Sequence, residues 1–240
     1  MPIVLASASP RRRVLIATLG LPVEYREADV PEVARPGERP AETALRLACE
    51  KAERVAEGVS AGVVVGGDTV VIADGRILGK PADPDEARVM LGELRGREHR
   101  VVTGVCLLDL ASGARYSEAV ETRVWMRDYS DDDIELYVRS GAPLDKAGAY
   151  GIQDESFRPV GRIEGCYLNV VGLPLCAVAR GLSALGHDAT GYPPDGCRCW
   201  EWMADLTPLI HSRVGKGSGG SPSDRGGDPL EHPGDLHSAR

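Results

Sequence analysis

Eight residues between positions 11 and 153 have the types needed to act together on a polyphosphate. Arg11, Arg12, Lys51 and Lys80 are cations, Glu32 and Asp68 are carboxylates, and Thr69 and Gln153 are neutral donors and acceptors. Lysines and arginines hold phosphoryl oxygens, while carboxylates hold a divalent ion and polarise water. The set therefore suits a triphosphate accompanied by Mg2+ or Mn2+. Asp68 is the member whose surroundings are least ordinary. It lies in Val63-Val64-Val65-Gly66-Gly67-Asp68-Thr69-Val70-Val71-Ile72, a continuous apolar run that reads as a buried strand, with Asp74-Gly75 as the hairpin turn behind it. A carboxylate in such a strand is paired, protonated or bound to a cation, because burying it alone costs several kcal/mol. Gly66 and Gly67 remove side chains where something must come close to the backbone. The residues by themselves leave a second reading open, an Asp that caps a turn at a strand end.

The elements that position the others follow from local chemistry. Ile3 to Ala6 reads as a strand, and Ser7-Ala8-Ser9-Pro10 as a turn into a helix with Ser9 at the N-cap and Pro10 at the first helical position. Arg11 and Arg12 then fall in the first turn, where cations oppose the helix dipole unless an anion sits between them. Strand, hydroxyl-rich turn, helix N-terminus and two arginines describe a phosphate cradle, with a solvated basic turn as the plainer alternative. No G-x-x-x-x-G-K-[ST] loop occurs in the chain. Glu32 belongs to an acidic, proline-bearing loop. Lys51 falls within the apolar stripe of a helix from about Ala41 to Glu57, through Ala44, Leu47, Ala48, Ala52 and Val55, which implies either snorkelling or an anionic partner. Lys80 closes Leu78-Gly79-Lys80-Pro81, and Gln153 ends a loop of small residues starting at Asp145, which suggests a surface that a ligand approaches closely. Further elements are a helix capped by Asp83, strands near His99 to Leu110 and Tyr116 to Arg127, a helix capped by Ser130, strand-like Gly161 to Val171, and a last helix from Pro174 to Leu185. The acidic residues Asp131 to Asp133 are helix-start chemistry rather than a metal site.

Composition bounds the function. A formal charge of −8 and a single Phe argue against a nucleic-acid binder. No apolar run is long enough for a membrane span, and Met1 to Ala6 lacks the features of a signal peptide, so the expected location is the cytoplasm. Cys49, Cys106, Cys166 and Cys176 fall within elements and read as small hydrophobes rather than a disulfide framework. Cys197 and Cys199 form C-x-C with no second pair, which argues against zinc. From about Gly191 the composition changes, and Gly215 to Arg240 reads as disordered, so the domain is expected over 1–190 with an extension over 191–240.

Ser7-Ala8-Ser9-Pro10-Arg11-Arg12, Gly67-Asp68-Thr69-Val70-Val71, Gly79-Lys80-Pro81, Asp145-Lys146-Ala147-Gly148-Ala149-Tyr150-Gly151-Ile152-Gln153 and Val171-Gly172-Leu173-Pro174 occur in order. In these motifs the sequence resembles the Maf family of nucleoside triphosphate pyrophosphatases, across about Ile3 to Leu185. The resemblance implies an elongated, two-lobed α/β fold with a mixed sheet and a cleft between lobes, similar to the inosine triphosphate pyrophosphatases. It implies hydrolysis of a nucleoside triphosphate to the monophosphate and pyrophosphate, with a divalent metal as cofactor. Asp68 matches the family's proton acceptor. Arg11, Thr69 and Gln153 match its specificity positions, and Ser7, Arg12, Glu32, Lys51 and Lys80 match its pocket. Ser7, Arg12, Lys51 and Lys80 are assigned to phosphate, and Glu32 with Asp68 to metal. The run through Gln153 looks like the dTTP/UTP branch; a 7-methyl-GTP pyrophosphatase and a non-catalytic nucleotide-binding regulator of division are the alternatives. Asp154 stands where the family often has glycine; Asp tolerates a left-handed backbone better than most residues, so only a modest adjustment is expected there. A homodimer is compatible with the sequence but not specified by it.

Overall fold

The computed structural model describes residues 1–188. Seven strands form one mixed sheet: β1 (Ile3–Ala6), β2 (Val23–Arg26), β3 (Val63–Ala73), β4 (Arg76–Leu78), β5 (Glu98–Asp109), β6 (Arg115–Met126) and β7 (Val160–Glu164). Their order is β2-β1-β3-β5-β6-β7, with β4 on the free side of β3. β1 runs parallel to β2 and β3, and all other pairs are antiparallel. Six helices pack on it: α1 (Pro10–Ala17), α2 (Pro40–Ala56), α3 (Pro84–Leu94), α4 (Asp131–Arg139), α5 (Tyr167–Val171) and α6 (Leu175–Ala184). The expected caps are present: Ser9 accepts from Arg12 N–H, Asp83 from Glu86 N–H, and Ser130 with Asp133 forms a capping box. Asp74 and Gly75 both adopt positive φ, 49° and 76°, as a two-residue hairpin between right-twisted strands requires.

Alternation along β3 sorts the core. Val64, Val70 and Ile72 face α2, while Val63, Val65, Val71 and Ala73 face the other layer. On that second face the strand serves two separate cores. Val63 and Val65 join α1, α5 and α6 at one end; Val71 and Ala73 join α3 and α4 at the other. Asp68 and Thr69 fall between them.

The register explains why that middle is open. β1 pairs with β3 only from Ile3↔Val63 to Ala6↔Gly66, and β4 begins at Val71↔Leu78. Residues 67–70 therefore pair with β5 on one side and, among the described residues, with no strand on the other. The turn after β1 carries Ser7 to Arg12, and the turn after β4 carries Lys80. Both chain segments leave the sheet at the borders of this gap.

One expectation needs correction. The span from Gly161 to Val171 is not one strand: β7 ends at Glu164, and α5 follows from Tyr167, capped by Cys166 Sγ. Asp154 fits its position without a positive φ: its Oδ1 accepts from Ser156 N–H and from Phe157 N–H at 2.9 Å, which closes a local turn. The four cysteines of the described residues are free thiols, and no helix there is long and apolar enough to cross a membrane. Cys197, Cys199 and the extension over 191–240 lie outside the described residues.

Candidate active site

A cleft of about 540 Å3 opens at the gap in the sheet, and all nine residues singled out from the sequence line it. That size suits a small ligand.

On the α2 side, Asp68 points toward Lys51, whose Nζ donates to Asp68 Oδ1 at 2.6 Å and also to Glu32 Oε1. Both side chains of the Lys51–Asp68 pair are buried. The geometry depends on two glycines. A Cβ at Gly66 would stand 2.0 Å from Ala48 O, and one at Gly104, the register partner of Asp68, 2.3 Å from Ala44 O. Only without those carbons does α2 lie close enough for Lys51 to reach β3. Here the object that comes close to Gly66 is a helix of the protein itself.

The two carboxylates on Lys51 are driven apart. Burial raises the Asp68 pKa, and the charges of Lys51 and Arg12 only partly oppose it. Burial also works to raise Glu32, which is half exposed, but its hydrogen bond to Lys51 and the charges of Lys51, Lys80 and Arg12 win, and the net shift is downward. Such divergence separates a group able to take a proton from one that stays ionised.

On the opposite face, Arg12 reaches back over β3. Its Nε donates to Gly172 O at 2.8 Å and its Nη2 to Thr69 Oγ1 at 3.0 Å. Burial lowers the Arg12 pKa while Asp68 and Glu32 hold it up, so the guanidinium remains a cation. Ser7, also buried, accepts from Ser9 N–H at 3.1 Å, which ties the turn ahead of α1 into one conformation. Lys80 is exposed at the rim with no ion pair among the described residues. Arg11 Nη1 donates to Asp145 Oδ2 at 3.1 Å, linking α1 to the loop that ends in Gln153. Gln153 and the Tyr167 phenol of α5 share a hydrogen bond, and burial raises the Tyr167 pKa.

Sequence reasoning found the first layer of the cleft but not its supports. Asp145 was visible only as part of a small-residue loop. Tyr167 and Thr103 carried no signal, since a Tyr in an apolar run and a Thr in a strand are ordinary residues.

The Maf-like protein family matches residues 2–185. This chain belongs to the Maf family. Among Maf relatives, a dTTP/UTP pyrophosphatase of Geobacter metallireducens is 46% identical over 184 residues, covering 77% of this chain and 96% of that protein. One of Syntrophomonas wolfei is 45% identical over 182 residues, covering 76% and 96%. Among solved structures, the Staphylococcus aureus Ham1 protein aligns over 88% of this chain and 99% of that one, at 13% identity and a TM-score of 0.42. At that score the likeness carries no argument about the Maf site.

Proposed function

We propose that this protein hydrolyses dTTP and UTP between the α and β phosphates, releasing the monophosphate and pyrophosphate. The observation that carries the reading is the pair of carboxylates on Lys51, one raised and one lowered in pKa, in a cleft that also holds Arg11, Arg12 and Lys80. The activity for which its Maf relatives are named supports the choice of substrate.

Asp68 takes a proton from the water that attacks the α-phosphorus. Its raised pKa makes it a stronger base than an exposed Asp, and the Lys51 charge works to favour its ionised form. As the α–β bond breaks, charge develops on the departing pyrophosphate. Arg12 and Lys80 hold its oxygens, and the Ser7 hydroxyl donates to one of them. Arg11, Thr69 and Gln153 contact the nucleoside end.

The residues present fit a divalent metal. Glu32 and Asp68 are hard oxygen donors that converge on one positive charge, and a Mg2+ site commonly uses one or two carboxylates and completes its shell with substrate phosphates and water. When bound, Mg2+ or Mn2+ neutralises phosphoryl charge. No group of three or more His, Cys, Asp or Glu gathers among the described residues, so substrate oxygens are needed to complete such a site.

Product analysis after incubation with dTTP, UTP, CTP or 7-methyl-GTP, with and without Mg2+ or Mn2+, tests the proposal. Monophosphate and pyrophosphate from dTTP and UTP, dependent on metal, are expected. Diphosphate with orthophosphate, or no turnover, would overturn it.

A further inference from the structure

Behind Thr69 lies a chain of hydrogen bonds whose direction can be worked out. Thr69 Oγ1 and Thr103 Oγ1 are 2.9 Å apart, and either can be the donor. Thr103 is fully buried on β5, and its hydroxyl donates to Asn169 O at 3.1 Å. That carbonyl lies in the last turn of α5 and has no competing backbone donor among the described residues, because the Gly172 and Leu173 N–H groups both go to Leu168 O. Asn169 cannot swing away. Its Nδ2 donates to Val101 O at 3.0 Å and to Thr122 Oγ1 at 2.9 Å, and it too is fully buried.

A hydroxyl has one proton. Thr103 spends its proton on Asn169, so in the Thr69–Thr103 bond Thr69 is the donor and Thr103 the acceptor. The other acceptor near Thr69 is Gly172 O, at 3.4 Å, which already takes Arg12 Nε–H at 2.8 Å. One lone pair of Thr69 receives Arg12 Nη2–H. What Thr69 shows the cleft is its remaining lone pair and no proton.

We propose that Thr103 is a positioning residue that fixes Thr69 as a hydrogen-bond acceptor, so that Thr69 selects substrates bearing a donor. An ionised phosphoryl oxygen offers only lone pairs, so Thr69 is not a phosphate ligand. The donor that fits is the imide N3–H of uracil or thymine. Cytosine presents a bare N3 there, and two lone pairs then face each other. Gln153 is left to pair with a neighbouring carbonyl of the same base. The inference rests on the pyrimidine triphosphate reading above and goes further by naming what enforces the choice.

The test is the ratio of kcat/KM for UTP to that for CTP, because a merely structural loss lowers both together. Thr103→Val keeps the volume but removes the acceptor, so the Thr69 proton is free to turn toward cytosine N3. The ratio should fall about tenfold or more. Thr103→Ser keeps the acceptor and should hold the wild-type ratio. An unchanged ratio in Thr103→Val overturns the proposal. Should that variant not fold, the triphosphate of pyrimidin-2-one riboside decides with wild-type protein. It has a bare N3 and nothing at C4, so it should be rejected as CTP is; turnover matching UTP overturns the proposal. If wild type releases no pyrophosphate from any nucleotide, the enzymatic reading fails on its own. Calorimetric binding of UTP and CTP to wild type and Thr103→Val then reads Thr103 separately: a preference for UTP lost in the variant supports it, and an unchanged preference overturns it.

Discussion

On the α2 face of β3, Asp68 is held by charge: one buried ammonium, two carboxylates around it, and burial setting how tightly each keeps a proton. On the opposite face, the next residue, Thr69, is held by direction: a guanidinium on one side, a second hydroxyl on the other, and a fixed helix carbonyl behind. A Coulombic pair tolerates small displacements, because its energy falls slowly with distance. A hydroxyl relay does not, because a lost acceptor frees a proton to turn. On the proposed reading adjacent residues divide the work, with proton affinity set on one face and recognition on the other, so the two should fail in different ways.

The largest effect is expected from Asp68→Asn, which keeps the shape and removes the charge. Turnover should drop at least the roughly 10²–10⁴-fold typical of a lost general base while the UTP:CTP ratio survives. Near-normal turnover in folded protein would make Asp68 a structural residue.

Arg12→Ala should come next, because Arg12 anchors Thr69 and, in the proposed function, also holds phosphate. Losses of about 2–4 kcal/mol in kcat/KM are expected, read from steady-state kinetics on UTP. Lys80→Ala, which removes only a proposed phosphate contact, should lose rate without altering the UTP:CTP ratio. A variant of either residue that melts at lower temperature yet keeps its kinetics would remove it from the phosphate cradle.

The pH profile sharpens the electrostatic half. Asp68 must be ionised to act as base, and burial raises it above its ordinary 3.8, so kcat/KM should fall as pH drops through that raised value. Lys51 works to lower it. Lys51→Met therefore carries the acid limb upward. The substrate's own phosphate ionisation is common to both proteins and cancels in the comparison. A limb that stays in place would mean that another group controls it.

The smallest effect belongs to Tyr167→Phe. It removes the hydrogen bond that holds Gln153 and lets the amide turn, so the UTP:CTP ratio should fall by a few-fold with little change in kcat for UTP. Gln153→Ala should lower the ratio further. If Tyr167→Phe changes kcat and leaves the ratio alone, the phenol acts on the phosphate end instead.

Much of the first layer was legible because it conflicts with its surroundings. A carboxylate in an apolar strand, a lysine in an apolar stripe and two arginines against their own helix dipole each needed a partner, and the cleft brings those partners together. The supports were not legible, because nothing in them conflicts locally. Thr103 suits a strand, Tyr167 is an ordinary residue of an apolar run, and their roles come from cross-strand register and from how α5 sits on the sheet. The strand expected across Gly161–Val171 broke for a related reason. Gly165 and Gly172, both at φ 124°, let the chain turn into and out of one helical turn that the apolar pattern alone does not distinguish from a strand. The opening in the sheet was invisible too, since the end of pairing at Ala6 and its resumption at Val71 depend on which strands become neighbours.

That opening gives the fold an unusual trade. Strands tend to lengthen wherever pairing is available, and a few more paired residues at the end of β1 or the start of β4 would satisfy backbone groups along 67–70 and knit the two cores together. The same change would seal the only stretch of β3 where a ligand can lie beside Asp68 and Thr69. Selection for a better-paired sheet and selection for catalysis therefore pull these strand ends in opposite directions, and a stabilised redesign that zips this edge shut should be the sturdier protein and an inert one.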